Sequence, residues 1–450
     1  MKKLLLMSLV TLVTLAAALF LIRWLAPQLL GLRPDLQVVQ LSKQVPPFFN
    51  NVFGSGSGAE NILYDDFIMN DPVSATRARN LLPRTNSGKF GPHDVLGFRN
   101  RSVPNVVDIV TIGDSQTYGI NASLEENWPS KLATSVGCSV YNMSVGGWAA
   151  VQYLQMARYA VRFHPQVIVV AFYSGNDALE SFEVAYNYEM WKDLRLSADL
   201  SGRDLRKVGL NKPESERGTV KFEDGIETVF KPSLRFASND TNHPVVTTGW
   251  QIMAECAQRI AECVRQNSNA KLIFTIIPTK ELVYAVKIRR EGIKPSDDYL
   301  ALIKDEQHNI EKLAGKLRAL PNTRYVDLIQ ALQNSALQKL ALYPSGMDGH
   351  PLAAGYAVIA EEIAQEAKSS VGTLPYGLLS ETIGKNANLY YVSTPSGLWM
   401  VPTMDVLVAN GWRNKDAPRV NHFRLEAVPW LGSITVDPAR FNPKAMGFAP

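Results

Sequence analysis

The sequence is poor in the residues that would build a cross-linked or metal-centred protein. It has three cysteines, Cys138, Cys256 and Cys263, and six histidines in 450 residues. Cys256 and Cys263 stand two turns apart in a helical pattern, about 10 Å along the axis, which is too far for a disulfide. All three cysteines read as small buried hydrophobes. Lysine and arginine form no dense run, and 46 of them against 42 acidic residues leave a net charge of +4. A dedicated nucleic-acid surface is therefore not expected. No internal repeat is visible. What the chain does have is 46% hydrophobic and 20% charged residues, the ordinary balance of a chain that buries a core. Its length allows two domains, or one large domain with insertions.

The first 30 residues form a leader. Lys2 and Lys3 precede an uncharged run from Leu4 to Ile22 that ends at Arg23. As a helix this run spans about 28 Å, close to the thickness of a bilayer core. A cleaved signal peptide could use Ala16-Ala17-Ala18, and the chain would then be secreted. That cleavage would leave Leu19-Phe20-Leu21-Ile22 as the mature terminus, so an uncleaved transmembrane anchor is preferred. Both readings imply export. Lys2, Lys3 and the terminal amine keep the N-terminus cytoplasmic and put the bulk of the chain outside, in the periplasm; Arg23 and Arg33 weaken this bias without reversing it.

Residues 31–99 read as linker and lead-in. Up to residue 60 they carry Pro34, Pro46, Pro47 and Gly54-Ser55-Gly56-Ser57-Gly58, a flexible spacer. From 61 to 104 the pattern is irregular. Residues 100–370 then alternate apolar strand-length runs (Val106 to Ile112, Ser139 to Met143, Gln166 to Tyr173, Lys271 to Ile277, Arg324 to Leu328) with helical patterns. The helical patterns are Trp128 to Val136, Ala149 to Phe163, Thr247 to Gln266, Tyr299 to Leu320 and Leu352 to Lys368. This alternation predicts an α/β domain with a parallel five-stranded sheet in a flavodoxin-like order. In such a sheet, function gathers at the carboxyl ends of the strands. Residues 178–245 interrupt the rhythm as a charged, turn-rich insertion, with a hairpin signal at Asp224-Gly225, placed to form a lid. Residues 371–450 read as a small β-rich appendage with short strands at Tyr390 to Val392, Leu398 to Val401 and Val406 to Val408. Its aromatics Tyr390, Tyr391, Trp399 and Trp412 could bind glycan, although strand packing is their commoner use.

Four places carry unusual residues. The first strand ends in Gly113-Asp114-Ser115, which puts a hydroxyl where a helix begins and backbone N–H groups converge. Alone, such a serine is more often a helix cap. The second strand ends in Ser144-Val145-Gly146-Gly147, where an N–H can approach a ligand oxygen, although by itself the stretch reads as a plain turn. The third ends in Ser174-Gly175-Asn176-Asp177, whose asparagine can aim an amide at the same oxygen or form an Asx turn. The fourth place is Asp348-Gly349-His350-Pro351, where a carboxylate can fix the tautomer of a general base. A surface histidine near a cap is the plain alternative.

In this order, serine, glycine, asparagine and histidine, the sequence resembles the SGNH (GDSL-type) hydrolases over residues 100–370, with 178–245 outside the match. Gly113-Asp114-Ser115 matches the first block, Gly147 the second, Asn176 the third and His350 the fourth. The resemblance implies a three-layer α/β/α fold in which Ser115 attacks an ester carbonyl, His350 takes its proton and Asp348 orients His350. The N–H groups of Ser115 and Gly147 and the Asn176 amide would hold the oxyanion. No metal or cofactor is implied. Two departures stand out. Many members place the acid three residues before the histidine, where this chain has Met347; the two-residue spacing of Asp348 resembles the alginate-acetylation branch. A dyad without a working acid stays open. The third block also has its glycine adjacent to the asparagine. The run Pro278-Thr279-Lys280 after the fourth strand is similar to membrane-linked exopolysaccharide acetyltransferases, and would bring Lys280 to an anionic substrate; a solvated lysine is the alternative.

The expected activity is a serine esterase acting on O-acyl esters, O-acetyl first among them, of envelope or extracellular carbohydrate. A polysaccharide O-acetyltransferase would use the same site, a lipid ester would fit nearly as well, and a non-catalytic assembly protein would keep the fold alone. A metal phosphoesterase built on Asp114, Asn176, Asp177 and His350 is disfavoured, because that set holds a single histidine. Oligomeric state is not legible.

Overall fold

In the computed structural model the five apolar runs become five parallel strands. It describes residues 68–71, 75–78, 91–94, 96–104, 107–209, 219–371, 377–382, 388–394, 397–409, 412–414 and 430–434, with 417, 420 and 425. The leader with its expected anchor, and the 31–60 spacer, lie outside these residues. No described helix is long and apolar enough to cross a membrane.

A short antiparallel pair, β1 (Ile68–Asp71) and β2 (Ala75–Ala78), comes first. The main sheet then begins with β3 (Ile109–Gly113), β4 (Val140–Ser144) and β5 (Val167–Tyr173). The expected hairpin follows as β6 (Val220–Lys221) and β7 (Glu227–Thr228). The sheet is completed by β8 (Lys271–Ile277) and β9 (Thr323–Asp327). Its order is β4-β3-β5-β8-β9 with every pairing parallel, the flavodoxin-like order.

The helices in chain order are α1 (Ser115–Tyr118), α2 (Trp128–Val136), α3 (Ala150–Ala160), α4 (Asp177–Asn187) and α5 (Pro232–Ala237). They continue with α6 (Pro244–Asn267), α7 (Lys280–Arg290), α8 (Asp297–Ala319), α9 (Ile329–Ala336) and α10 (Ala353–Ser370).

The layers follow from the two-residue period of a strand. On β5, Ile168, Val170 and Phe172 enter one core with Leu154 of α3, Phe182 of α4 and Ile260 of α6. Val167, Val169, Ala171 and Tyr173 enter the other with Leu132 of α2, Leu332 of α9 and Ile363 of α10. All seven β5 residues are buried, so helices cover the sheet on both faces. Each such aliphatic side chain contributes roughly 1.5–3 kcal/mol by leaving water.

Two expectations are corrected. The segment after residue 178 does not start as an irregular insertion, because α4 runs on to Asn187. Leu179, Phe182 and Tyr186 give it a buried face. It lies so close to α6 that a Cβ on Gly249 would collide with the Ala178 carbonyl. Val406 to Val408 are helical, not extended, within α11 (Met404–Ala409). The Thr403 hydroxyl accepts from the Val406 N–H at 3.3 Å, and this cap outweighs the strand preference of a three-residue run.

The other appendage strands are β10 (Gly377–Thr382), β11 (Asn388–Thr394), β12 (Gly397–Val401) and β13 (Trp430–Ser433), in that order in one sheet. They have their own small cores, Val392 with Val401 and Leu407, and Leu379 with Tyr391 and Leu398. Cys138 and Cys256 are buried and Cys263 half-buried, all as free thiols.

Candidate active site

The turn leaving β3 is shaped by small residues. A Cβ at Gly113 would collide with Thr117, so α1 can fold back only on glycine. Asp114 caps α1 by accepting from the Gln116 N–H at 2.8 Å, which leaves Ser115 at the first helical position with its own N–H unclaimed among the described residues. Burial pushes the Asp114 carboxyl up to about 6, against the pull of the Gln116 N–H and the His350 charge. Helix α1 ends at Gly119 in the left-handed region (φ 90°). Its terminal carbonyls meet Arg99, fully buried, which donates to Tyr118 O at 3.1 Å, Gly119 O at 2.6 Å and Ala122 O at 2.7 Å.

Beyond β4, Gly147 is exposed with φ 78°, a conformation that favours glycine, and its N–H makes no hydrogen bond among the described residues. Beyond β5, Asn176 occupies the cap position of α4 without using its side chain as a cap. Its Nδ2 donates to Glu180 Oε1 at 2.8 Å, which holds the amide in place and leaves a second N–H for a ligand. Burial, with the Asp114 charge adding, pushes Glu180 up to about 8. At neutral pH that carboxyl is therefore mostly uncharged, and puts little negative charge beside a developing oxyanion.

The fourth block closes the arrangement. His350 Nε2 lies 2.8 Å from Ser115 Oγ, whereas Asp114 Oδ2 is 3.4 Å from the same hydroxyl. His350 Nδ1 lies 2.6 Å from Asp348 Oδ1. The two-residue spacing works because Asp348 makes an Asx turn. The oxygen that meets the ring also accepts the His350 backbone N–H at 3.0 Å. Met347, at the position three residues before the histidine, is 56% exposed. Burial would raise the Asp348 carboxyl, but the His350 ring, the His350 N–H and Asn121 Nδ2 at 2.9 Å hold it well below the usual range.

Lys280 is not a solvated or substrate-facing cation. It is 1% exposed, and its ammonium donates to Gly346 O at 2.9 Å, Asp348 O at 3.2 Å and Thr228 Oγ1 at 3.3 Å. Burial lowers it to about 8 although Glu281 opposes the shift. It thus ties the loop carrying Asp348 and His350 to α7. Lys280→Met is expected to cut kcat about tenfold with little change in KM, since it slackens the base without touching substrate. Steady-state kinetics on any turned-over ester checks this.

The sequence reading missed three neighbours: Arg99, Asn121 and Glu180. Asn121 has the one readable signal, an asparagine two residues after a left-handed glycine, and it adopts φ 70° itself. Among the described residues no group of three or more His, Cys, Asp or Glu side chains is placed to hold a metal ion.

The buried acids set a pH dependence of stability. Burial raises Asp94 and Asp114 to about 6, Glu306 to about 7 and Glu180 to about 8. Between about pH 5 and pH 8 the folded chain holds more protons than the unfolded one, so stability falls as pH rises. Asp348 acts oppositely, and its contribution is lost only in stronger acid. The thermal midpoint should drop by on the order of 5 °C from pH 5 to pH 8. A flat or rising midpoint in differential scanning calorimetry would contradict this.

The fold is SGNH-like. The sheet order is the flavodoxin one, and the four block residues stand at the ends of β3, β4 and β5 and ahead of α10. No family model matches the chain, and no curated protein does. Solved structures do match. A GDSL-like lipase from Bacteroides thetaiotaomicron is 14% identical with TM-score 0.30, covering 58% of this chain and 88% of that one. A catalytic mutant of an acetylxylan esterase from Geobacillus stearothermophilus is 12% identical with TM-score 0.32, covering 58% and 94%. A family two carbohydrate esterase from Clostridium thermocellum, in complex with cellohexaose, is 12% identical with TM-score 0.31, covering 61% and 67%. At these values the likeness carries no argument, and the fold stands on its own sheet order and strand ends.

Proposed function

We propose that this chain is a serine esterase acting on O-acyl esters of carbohydrate, O-acetyl esters first among them, through an acyl-enzyme on Ser115. The observation that carries the reading is the continuous relay from Ser115 Oγ to His350 Nε2 and from His350 Nδ1 to Asp348. Attack by the serine oxygen on the ester carbonyl forms the tetrahedral intermediate, and the proton passes to Nε2. The imidazolium then returns it to the leaving alcohol, and water repeats the sequence to release the acid. The N–H groups of Ser115 and Gly147 and the Asn176 amide are the oxyanion donors in this reading, each worth about 3 kcal/mol of barrier. The leader, with Lys2 and Lys3 ahead of Leu4 to Ile22, supports an extracytoplasmic site held at the cytoplasmic membrane and an envelope or extracellular substrate.

The full-length chain should release acetate from acetylated oligosaccharides, and Ser115→Ala should not. No turnover of any acyl ester, or turnover that survives Ser115→Ala, would sink the proposal. Transfer and hydrolysis share the acyl-enzyme. Adding unacetylated oligosaccharide and following acetylated product against free acetate separates them.

A further inference from the structure

Two carboxyls flank the catalytic groups, and their surroundings are opposite. Asp348 accepts three N–H groups, from the His350 ring, the His350 backbone and Asn121. Glu180 accepts one, from Asn176 Nδ2 at 2.8 Å, and its Oε2 is buried with no hydrogen-bond partner among the described residues. A charge on that oxygen would be left bare, so the fold favours the neutral carboxyl. Asn176 Oδ1 is likewise buried without a partner among the described residues. The bond to Glu180 is therefore the anchor that sets the direction of the amide.

The groups around Glu180 push the same way. Asp114 in the turn after β3 and Glu183 further along α4 add negative charge, and Arg235 of α5 opposes them but is outweighed by burial. Asp177 on the same helix also meets the charge of Glu180, as does Tyr153 of α3, which donates to Asp177 Oδ2 at 3.0 Å. Helix α6 packs along α4 with Gly249 against Ala178, and Arg195 binds the far end of α4 at Ala185 O, 2.9 Å away. The second N–H of Asn176 stands about 120° from the one that Glu180 holds. An oxyanion bound there would lie about 5 Å from the Glu180 oxygen. Two negative charges at that separation repel enough to slow the reaction by about tenfold or more.

We propose that Glu180 is a positioning residue for ester cleavage, which as an uncharged carboxyl aims the Asn176 amide at the oxyanion and on ionising works against it. This rests on the ester-hydrolase reading of Ser115. Asp348 and Glu180 then divide two tasks between two carboxyls, one ionised beside the base and one neutral behind an oxyanion donor.

The test follows kcat of the full-length chain on 4-nitrophenyl acetate, with the spontaneous rate subtracted. From pH 7 to about pH 9.5, wild-type kcat should fall by about tenfold or more with KM little changed. Glu180→Gln still offers Asn176 a carbonyl and cannot ionise, so its kcat should fall by less than about threefold over that range. At pH 7, Glu180→Ala should lose about tenfold in kcat, most of which Glu180→Gln recovers. In an Asn176→Ala background the same Glu180→Ala change should cost under about threefold, because the residue acts through the amide. A wild-type kcat that holds level to pH 9.5 overturns the proposal without any variant, so misfolding cannot obscure the result. Half or more of the wild-type fall persisting in Glu180→Gln also overturns it, and assigns the fall to Lys280, which loses its charge in the same range. An undiminished Glu180→Ala effect in the Asn176→Ala background does so as well. No turnover of this or any other acyl ester removes the hydrolase reading and Glu180 with it; turnover that stays level with pH removes the role of Glu180 alone.

Discussion

Ser115→Ala is expected to lower ester turnover by about 10^4-fold or more while leaving the fold in place. Among the described residues the Ser115 hydroxyl is within hydrogen-bond reach of two groups, His350 at 2.8 Å and Asp114 at 3.4 Å, and neither depends on it for burial. Asp114 keeps its cap on Gln116, and α1 keeps its left-handed exit at Gly119. The thermal midpoint should therefore move by no more than about 2 °C. What disappears is the oxygen that bonds to the acyl carbon. The N-terminal N–H groups of α1 and the Asn176 amide remain, so a weak residual rate above water is expected. A fluorophosphonate should label wild type at Ser115 and leave the alanine variant unlabelled. Label at another residue, or activity within tenfold of wild type, would remove Ser115 from the chemistry.

The second large effect concerns the acid. Asp348→Asn should reduce kcat by about 10^2- to 10^4-fold, with KM little changed. The carboxylate accepts three N–H groups at once, from the His350 ring, the His350 backbone and Asn121. The fold favours its ionised form, and that negative charge stabilises the imidazolium formed as His350 takes the serine proton. An asparagine keeps the size and can keep the Asx turn, but it supplies no charge and can donate to Nδ1, which selects the wrong tautomer. A loss below tenfold would mean a serine–histidine dyad, with Asp348 serving only the loop. The stability readout separates the two roles, since a structural aspartate would move the thermal midpoint as much as the rate.

The sheet was legible because β5 is an apolar run of strand length and β8 is apolar but for Lys271 and Thr275, and helices of 9 to 24 residues such as α2 and α6 carry a clear stripe. Helix α4 was missed because its first turn is acidic and its charges resemble an exposed insertion; only packing against Gly249 shows that it belongs to the core. At the site, Ser115, Gly147, Asn176 and His350 were readable as strand-end residues in a fixed order. Asp348 was readable, but not its adequacy, since the Asx turn that makes a two-residue spacing work is a matter of backbone geometry. Lys280 was visible and misplaced, because a sequence gives the type of a side chain and not the direction it takes from its helix. Arg99, Asn121 and Glu180 act on residues 4 to 229 positions away, and the sequence does not show which side chains such spacings bring together.

Ser115 and His350 are separated by 235 residues, with four more strands of the main sheet between them and α10 following. Tyr356, fully buried on α10, seals the join by donating to Ile120 O at 2.9 Å. A nascent chain can thus display the serine without possessing a base for it. Ester cleavage should switch on only when the last helix docks, after the costly long-range closures of a parallel sheet. During refolding, turnover should consequently lag behind recovery of helical signal. Its onset would timestamp the final closure of the sheet, giving a built-in reporter of complete assembly.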